Sequence, residues 1–392
     1  MKRSALFSTV LLAAITALGS TSPATAVSEN PDKSSREALT FTLSAERPFA
    51  APPEPWVGRT AAFAAPGLEK ATGRTVPIFT RTITARGRIY QYKMVGSDPF
   101  VRNAKKITVP VQIIPVHFAF DDGSVFDPTT PSLPCEGRAT ALNLTLGSPV
   151  FQNVNYGDGA RQFVEEFRRL EFWTLTGAPG AINPGYSVRV SPKVLPTLQI
   201  RLSGYPTQSL PCGKVGFLDK GAWDGFVRNT LFPQLRKLGV TTQTFPLFLF
   251  SNVMMFDGDP EDCCILGYHN AFNSGGIQTY GVAGYDLSKH FDDFTDVAVL
   301  SHELAEWYDD PFVNNPTPPW GHIGQQQGCQ SNLEVGDPLF GNLHEIVMPN
   351  GLAYHPQELA FFSWFFDQVP SVGINGVYST GGTFVTPAAL CR

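Results

Sequence analysis

The stretch Ser301-His302-Glu303-Leu304-Ala305-Glu306-Trp307-Tyr308-Asp309-Asp310-Pro311 decides how the rest of the chain is read. Proline lacks an amide hydrogen and disfavours helical geometry in the residue before it, so a helix over residues 294–310 must stop here. Asp293 or Thr295 offers an N-cap at its start. At about 100° per residue, Val297, Leu300, Leu304 and Trp307 form one apolar stripe. His302, Glu306 and Asp309 gather within roughly 60° of each other on the opposite side. An imidazole and a carboxylate four residues apart on one helix face suit a metal ion. Glu303 lies about 100° round, where a base reaches water without being a ligand.

A catalytic zinc site needs three protein ligands and one open position. His302 and Glu306 supply two. The third is expected downstream, at Glu334 in Leu333-Glu334-Val335-Gly336-Asp337, with Asp337 as second choice and Asp309 available from the same helix. Relative to the His-Glu-x-x-His motif of zinc proteases, in which the glutamate is the general base, the second histidine is replaced here by Glu306. One neutral histidine and two carboxylates bring a bound zinc to a site charge of about zero, which weakens it as a Lewis acid and leaves its water more basic. His269, in Cys264-Ile265-Leu266-Gly267-Tyr268-His269, is the second catalytic candidate. It can orient substrate, stabilise an oxyanion, or replace Glu334 as a ligand. Tyr268 and Tyr280 are weaker candidates of the same kind. The competing structural reading is that the polar helix face is simply solvated. The acidic loop from Asp257 to Asp262 lacks EF-hand spacing and reads as a solvated loop.

Outward from this helix, the chain begins with an export signal over residues 1–26: Met1-Lys2-Arg3, an apolar run from Ala5 to Leu18, and the small-residue site Ala24-Thr25-Ala26. The expectation is a secreted protein, extracellular or periplasmic, starting at Val27. Six cysteines agree with an oxidising compartment, and none forms a Cys-x-x-Cys pair. Only 16% of residues are charged, while there are 36 glycines and 33 prolines, the composition of a loop-rich, strand-rich chain. A net charge of −5 without any basic stripe excludes nucleic acid as the expected partner, and a membrane surface with it.

Residues 27–75 are polar and Pro/Ala-rich and are expected to be a flexible arm or, less favoured, a pro-segment. A strand-rich part follows over residues 76–215, with strands at 88–94 and 107–120, a hairpin turn at Asp122-Gly123 and a helix at 160–173. Over residues 216–392 the pattern predicts an amphipathic helix at 220–238 closed by Gly239, a buried strand at 244–256, a half-polar strand at 277–285, the His302 helix, a buried helix at 356–366 and a terminal hairpin from 372. This order is that of an α+β, zincin-like catalytic part. It would put 277–285 at the sheet edge, where an extended peptide adds as a strand. Cys135–Cys212 is the expected first disulfide, and Cys263 and Cys264 are expected to go to different partners, Cys329 and Cys391.

The Ser301-His-Glu-Leu-Ala-Glu segment with Asp310-Pro311, followed by Glu334-Val-Gly-Asp337, resembles an uncharacterised family of secreted bacterial proteins with a zincin-like His-Glu-x-x-Glu helix. More distantly, it is similar to the plant phosphate-induced, Exordium-like extracellular proteins. Gly267-Tyr-His269 and Gln278-Thr-Tyr280 belong to the same resemblance, which runs from about Tyr90 to Cys391. It implies the fold and a metal site and carries no established activity. Three readings follow. The first is a secreted zinc metallopeptidase acting on peptide or protein, with Glu303 as general base. The second is a non-catalytic extracellular binding or cell-surface module on the same scaffold. The third is a hydrolase of another kind, such as a glycosidase with Glu303 and Glu334 as its carboxylate pair.

Overall fold

Ile107–Phe120 carries Val109, Val111, Ile113, Ile114 and Val116 without any exposed surface, as a strand covered on both faces requires. In this computed structural model, which describes residues 39–61, 68, 74–131, 139–291 and 296–391, that strand runs through the middle of a twelve-stranded mixed sheet. Its parallel neighbours are Leu198–Ser203 and Val188–Val194 on one side and Phe245–Ser251 on the other. Ile277–Tyr285 follows in parallel, then Asp259–Asn273 antiparallel to it. The stretches 76–215 and 216–392 therefore share one sheet. The fold is α+β and strand-rich. Residues 1–26, with their cleavage site, and the caps Asp293 and Thr295 lie outside the described residues.

Several elements differ from expectation for identifiable reasons. Residues 244–256 are two strands, Phe245–Ser251 and Val253–Asp257, divided where Asn252 takes φ 52°, a conformation asparagine tolerates. Ile277–Tyr285 forms as expected but is hydrogen-bonded on both sides, so it cannot accept another strand. The edge beside the site belongs instead to Asp259–Asn273, and Arg59–Thr60 is already paired to it at Ile265 and Gly267. The helix of 220–238 is a run of α, π and 3-10 turns, Lys220–Phe226, Val227–Leu231, Phe232–Leu235 and Arg236–Leu238, ending at Gly239. Pro233 stands in the first turn of the third piece, where a proline is tolerated.

Of residues 356–366 only Phe362–Phe365 is helical, because the amide of Glu358 and the carbonyl of Pro356 bond across to Asn342 and His344. The tail holds a 3-10 turn at Ile374–Gly376 and a single bridge from Ser379 to Ala360, not a hairpin. Cys263 and Cys264 pair with each other, and Cys329 with Cys391, so the adjacent cysteines do not take separate partners. Cys212 is disulfide-bonded, while Cys135 lies outside the described residues. Among the described residues no helix is long and apolar enough to cross a membrane.

Candidate metal centre

The helix Ala298–Asp309 is buried along its whole length, which overturns the division into a packed face and a wet one. Its apolar stripe rests on the sheet, with Trp307 against Phe245 at 4.0 Å between ring centroids. Gly267 makes the close approach possible: a Cβ there would stand 2.5 Å from Val299 and 3.3 Å from Cγ of Glu303. No side chain caps the helix start. Asp296, immediately before it, accepts the amides of Val297 and His355. The polar stripe is roofed by residues 333–340 and 357–361. His302 and Glu334 have no exposed surface, Glu303 has 1% and Glu306 3%, so the solvated reading fails.

The ring of His302 is held at both nitrogens. Its Nδ1–H donates to Oε1 of Gln357 at 3.0 Å, and Gln357 in turn donates to the carbonyl of Gly336 at 2.6 Å. This leaves Nε2 facing Oε1 of Glu306 at 3.0 Å and Oδ1 of Asp337 at 3.5 Å. Gly336 is required at the turn, since a Cβ would lie 2.3 Å from Nδ1. Its amide donates to Oε1 of Glu306 at 3.1 Å. Asp337 accepts from the side-chain amides of Gln325 and Gln326. His302, Glu306 and Asp337 thus bring three possible ligand atoms within 4.8 Å of one another, as do His269, Glu303 and Glu306. A histidine oriented through its second nitrogen, with hydrogen-bonded carboxylates beside it, is the arrangement that metal sites use.

Glu303 and His269 form the neighbouring half of the cluster. His269 donates through Nε2 to the carbonyl of Asp310 at 3.1 Å, and its Nδ1 lies 3.2 Å from Oε2 of Glu303 and 3.7 Å from Oε2 of Glu306. Oε1 of Glu303 is buried and without a hydrogen-bond partner. Glu334 sits at the back. Its Oε1 accepts from Asn332 at 3.1 Å, while Oε2 is unpartnered and 3.9 Å from Nε2 of His269. The structure therefore brings Asp337, and not Glu334, against His302. Asp309 turns away altogether and pairs with the buried Arg168 at 2.7 Å. Tyr280 bonds to Asp224 and Asn270, away from the cluster, and the acidic loop is tied down by Lys220–Asp257 and Arg59–Asp262 pairs.

The electrostatics show a site short of positive charge. Burial pushes the carboxyl of Glu303 up to about 7, partly offset by His269, and pushes Asp310 to about 7 as well. Burial, then the Glu306 charge, raises Asp337 to about 6, and burial with the surrounding acids lifts Glu334 well above its ordinary value. Burial opposes a charged His302, yet Glu306 and Asp337 outweigh it and hold the imidazole's pKa well up. Carboxylates that cannot all ionise around two imidazoles are relieved by protons or by a divalent cation. The donor set of one imidazole nitrogen and carboxylate oxygens fits such a cation.

Thr60, Gln325, Gln357 and Asp310 belong to this site but carry no spacing signal in the sequence. Thr60 reaches it from the N-terminal region: its hydroxyl lies 2.9 Å from Nε2 of His302 and accepts from Gln325 at 2.9 Å. Gln325, in a run of three glutamines, could have been found only by knowing which loop folds back. No protein family, curated protein or solved structure matches the chain, so the chemistry of the site carries the functional reading.

Proposed function

We propose that this chain is a secreted, metal-dependent peptidase of zincin-like design, with His302, Glu306 and Asp337 as ligands of one divalent metal ion, expected to be zinc, and Glu303 as general base. One observation carries the reading. Nε2 of His302, freed by Gln357, faces two carboxylates, while the next residue along the helix offers a bare, buried carboxylate oxygen beside them. Export is supported by the pattern of residues 1–26 and by the disulfides.

A cation bound by these groups supplies Lewis-acid polarisation of a substrate carbonyl and of water. Oε1 of Glu303 takes the proton of the attacking water and returns it to the leaving amine. His269 is a positioning residue: its Nδ1 holds Oε2 of Glu303, leaving Oε1 as the working atom, and the Asp310 carbonyl holds His269 in turn. The desolvated nest strengthens each of these interactions and excludes competing water.

Elemental analysis of the purified protein, paired with hydrolysis of a denatured protein substrate, tests the reading. Glu303→Gln keeps the shape and is expected to keep the metal while hydrolysis falls by roughly two to four orders of magnitude. His302→Ala is expected to lose both. A Glu303→Gln protein stripped of metal would make Glu303 a ligand. A wild type and a Trp56→Ala variant that both hold metal and cleave nothing in a broad peptide library would turn the reading to the non-catalytic binding module.

A further inference from the structure

Residues 56–61 run along the edge of Asp259–Asn273 that borders the cluster. The amide of Cys264 donates to the carbonyl of Val57 at 3.0 Å, and the amide of Ala61 donates to the carbonyl of Gly267 at 3.1 Å. Between these two backbone bonds Arg59 pairs with Asp262. At one end Trp56 is inserted between Phe217 and His290, at 5.0 and 4.5 Å between ring centroids. At the other end Thr60 enters the metal cluster. Its amide donates to Gln325 at 3.1 Å, and its hydroxyl lies in hydrogen-bond contact, at 2.9 Å, with Nε2 of His302, the atom that faces Glu306 and Asp337. The same Gln325 side chain donates to Asp337, so one amide ties the segment to the ligand shell.

This is how an extended polypeptide binds to a sheet edge: main-chain bonds hold it, and alternate side chains drop into pockets. We infer that the edge of Asp259–Asn273 beside His302 is a cleft for an extended polypeptide, and that residues 56–61 are the chain's own inhibitory occupant of it. The cleft takes an aromatic side chain in the Phe217/His290 pocket and a small hydroxyl-bearing residue against His302, four positions further on. Residues 39–61 are then no flexible arm: Thr40–Ser44 pairs along its length with Leu198–Ser203, and residues 56–61 fill the cleft. Displacement of residues 56–61 frees both the strand edge and the side of His302 that Thr60 covers. The inhibitory role rests on the peptidase reading; the polypeptide cleft does not.

The probe is a fluorescein-labelled peptide with the sequence of residues 52–61, measured by fluorescence anisotropy against the full chain. In the wild type the tethered segment competes at an effective concentration in the millimolar range, so the peptide is expected to bind barely or not at all. Trp56→Ala withdraws the aromatic anchor. Arg59→Glu with Thr60→Ala repels Asp262 and removes the hydroxyl without opening a large cavity, which covers the case that Trp56→Ala does not fold. Each variant is expected to bind the probe at least about tenfold more tightly than the wild type, and a scrambled peptide should not bind. Folded variants that bind no better than the wild type, or a wild type that binds equally well, would overturn the cleft. Hydrolysis is measured in parallel. Activity that rises in the variants supports the inhibitory role, and equal activity in wild type and variants refutes it. Probe binding without hydrolysis in any protein keeps the cleft and removes the peptidase reading.

Discussion

Gln357 determines which nitrogen of His302 faces the carboxylates. Because its Oε1 accepts from Nδ1, Nε2 is the nitrogen presented to Glu306 and Asp337. Glu334, two residues before Gly336, points instead towards His269. The choice of third ligand can therefore be decided by substitution. Asp337→Ala removes an atom that stands 3.5 Å from Nε2 and should lower metal content far more than Glu334→Ala, measured by elemental analysis after dialysis. The reverse order would give the third position to Glu334, at the price of moving His302 or its helix. Sequence spacing pointed to the turn that meets the helix, and the acid of that turn that stands beside His302 is Asp337. Two acidic side chains three positions apart are equivalent until the close contact of Gly336 with the His302 ring sets which one turns inward.

At the level of elements, Glu358 shows how a loop is held where no regular structure is available. Its Oε1 accepts from the hydroxyl of Ser379 at 2.6 Å and from the amides of Gly381 and Thr383 at 3.0 and 3.1 Å, and Oε2 accepts from the hydroxyl of Thr383 at 2.7 Å. Burial opposes the charge, but these donors prevail and hold the carboxyl below its ordinary value. A depressed folded-state pKa means that the stabilisation is complete above the ordinary glutamate value of about 4.3 and is lost as pH falls through the lower folded value. Glu358→Gln should therefore cost about 1 kcal/mol near neutral pH, after allowing for partial screening, and the difference should shrink towards zero in strong acid. Urea midpoints of both proteins at the two pH extremes check this. Such a loop was not legible from sequence, where residues 356–366 read as a buried helix. Apolar periodicity says that a segment is buried, and it cannot say that the backbone bonds are spent on Asn342 and His344 instead of on the next turn. The His302 helix and the strands Ile107–Phe120 and Ile277–Tyr285 were legible because period and punctuation agree there. The position of Ile277–Tyr285 in the sheet was not, because an edge is a property of the pairing partners.

Across the whole molecule, the site is assembled from distant parts of the chain: Thr60, His269, the 298–309 helix, and the stretch from Gln325 to Gln357. The last of these lies inside the ring closed by Cys329–Cys391 almost entirely, with Glu334, Asp337 and Gln357 all within it. The sequence separation of 62 residues makes this crosslink costly for the unfolded chain, by about 4 kcal/mol in the loop-closure account, from which native-state relaxation subtracts. Cys263 and Cys264 are adjacent and close almost no loop. Replacing Cys329 and Cys391 together by serine should therefore lower unfolding stability by about 2–4 kcal/mol, whereas replacing Cys263 and Cys264 together should cost clearly less. Chemical denaturation of the two double variants against the wild type, without reductant, makes the comparison. Equal losses would mean that the crosslinks act through local contacts in the folded protein. The larger loss at Cys329–Cys391 would mean that the downstream half of the candidate site is held against the helix by limiting how far the unfolded chain can open.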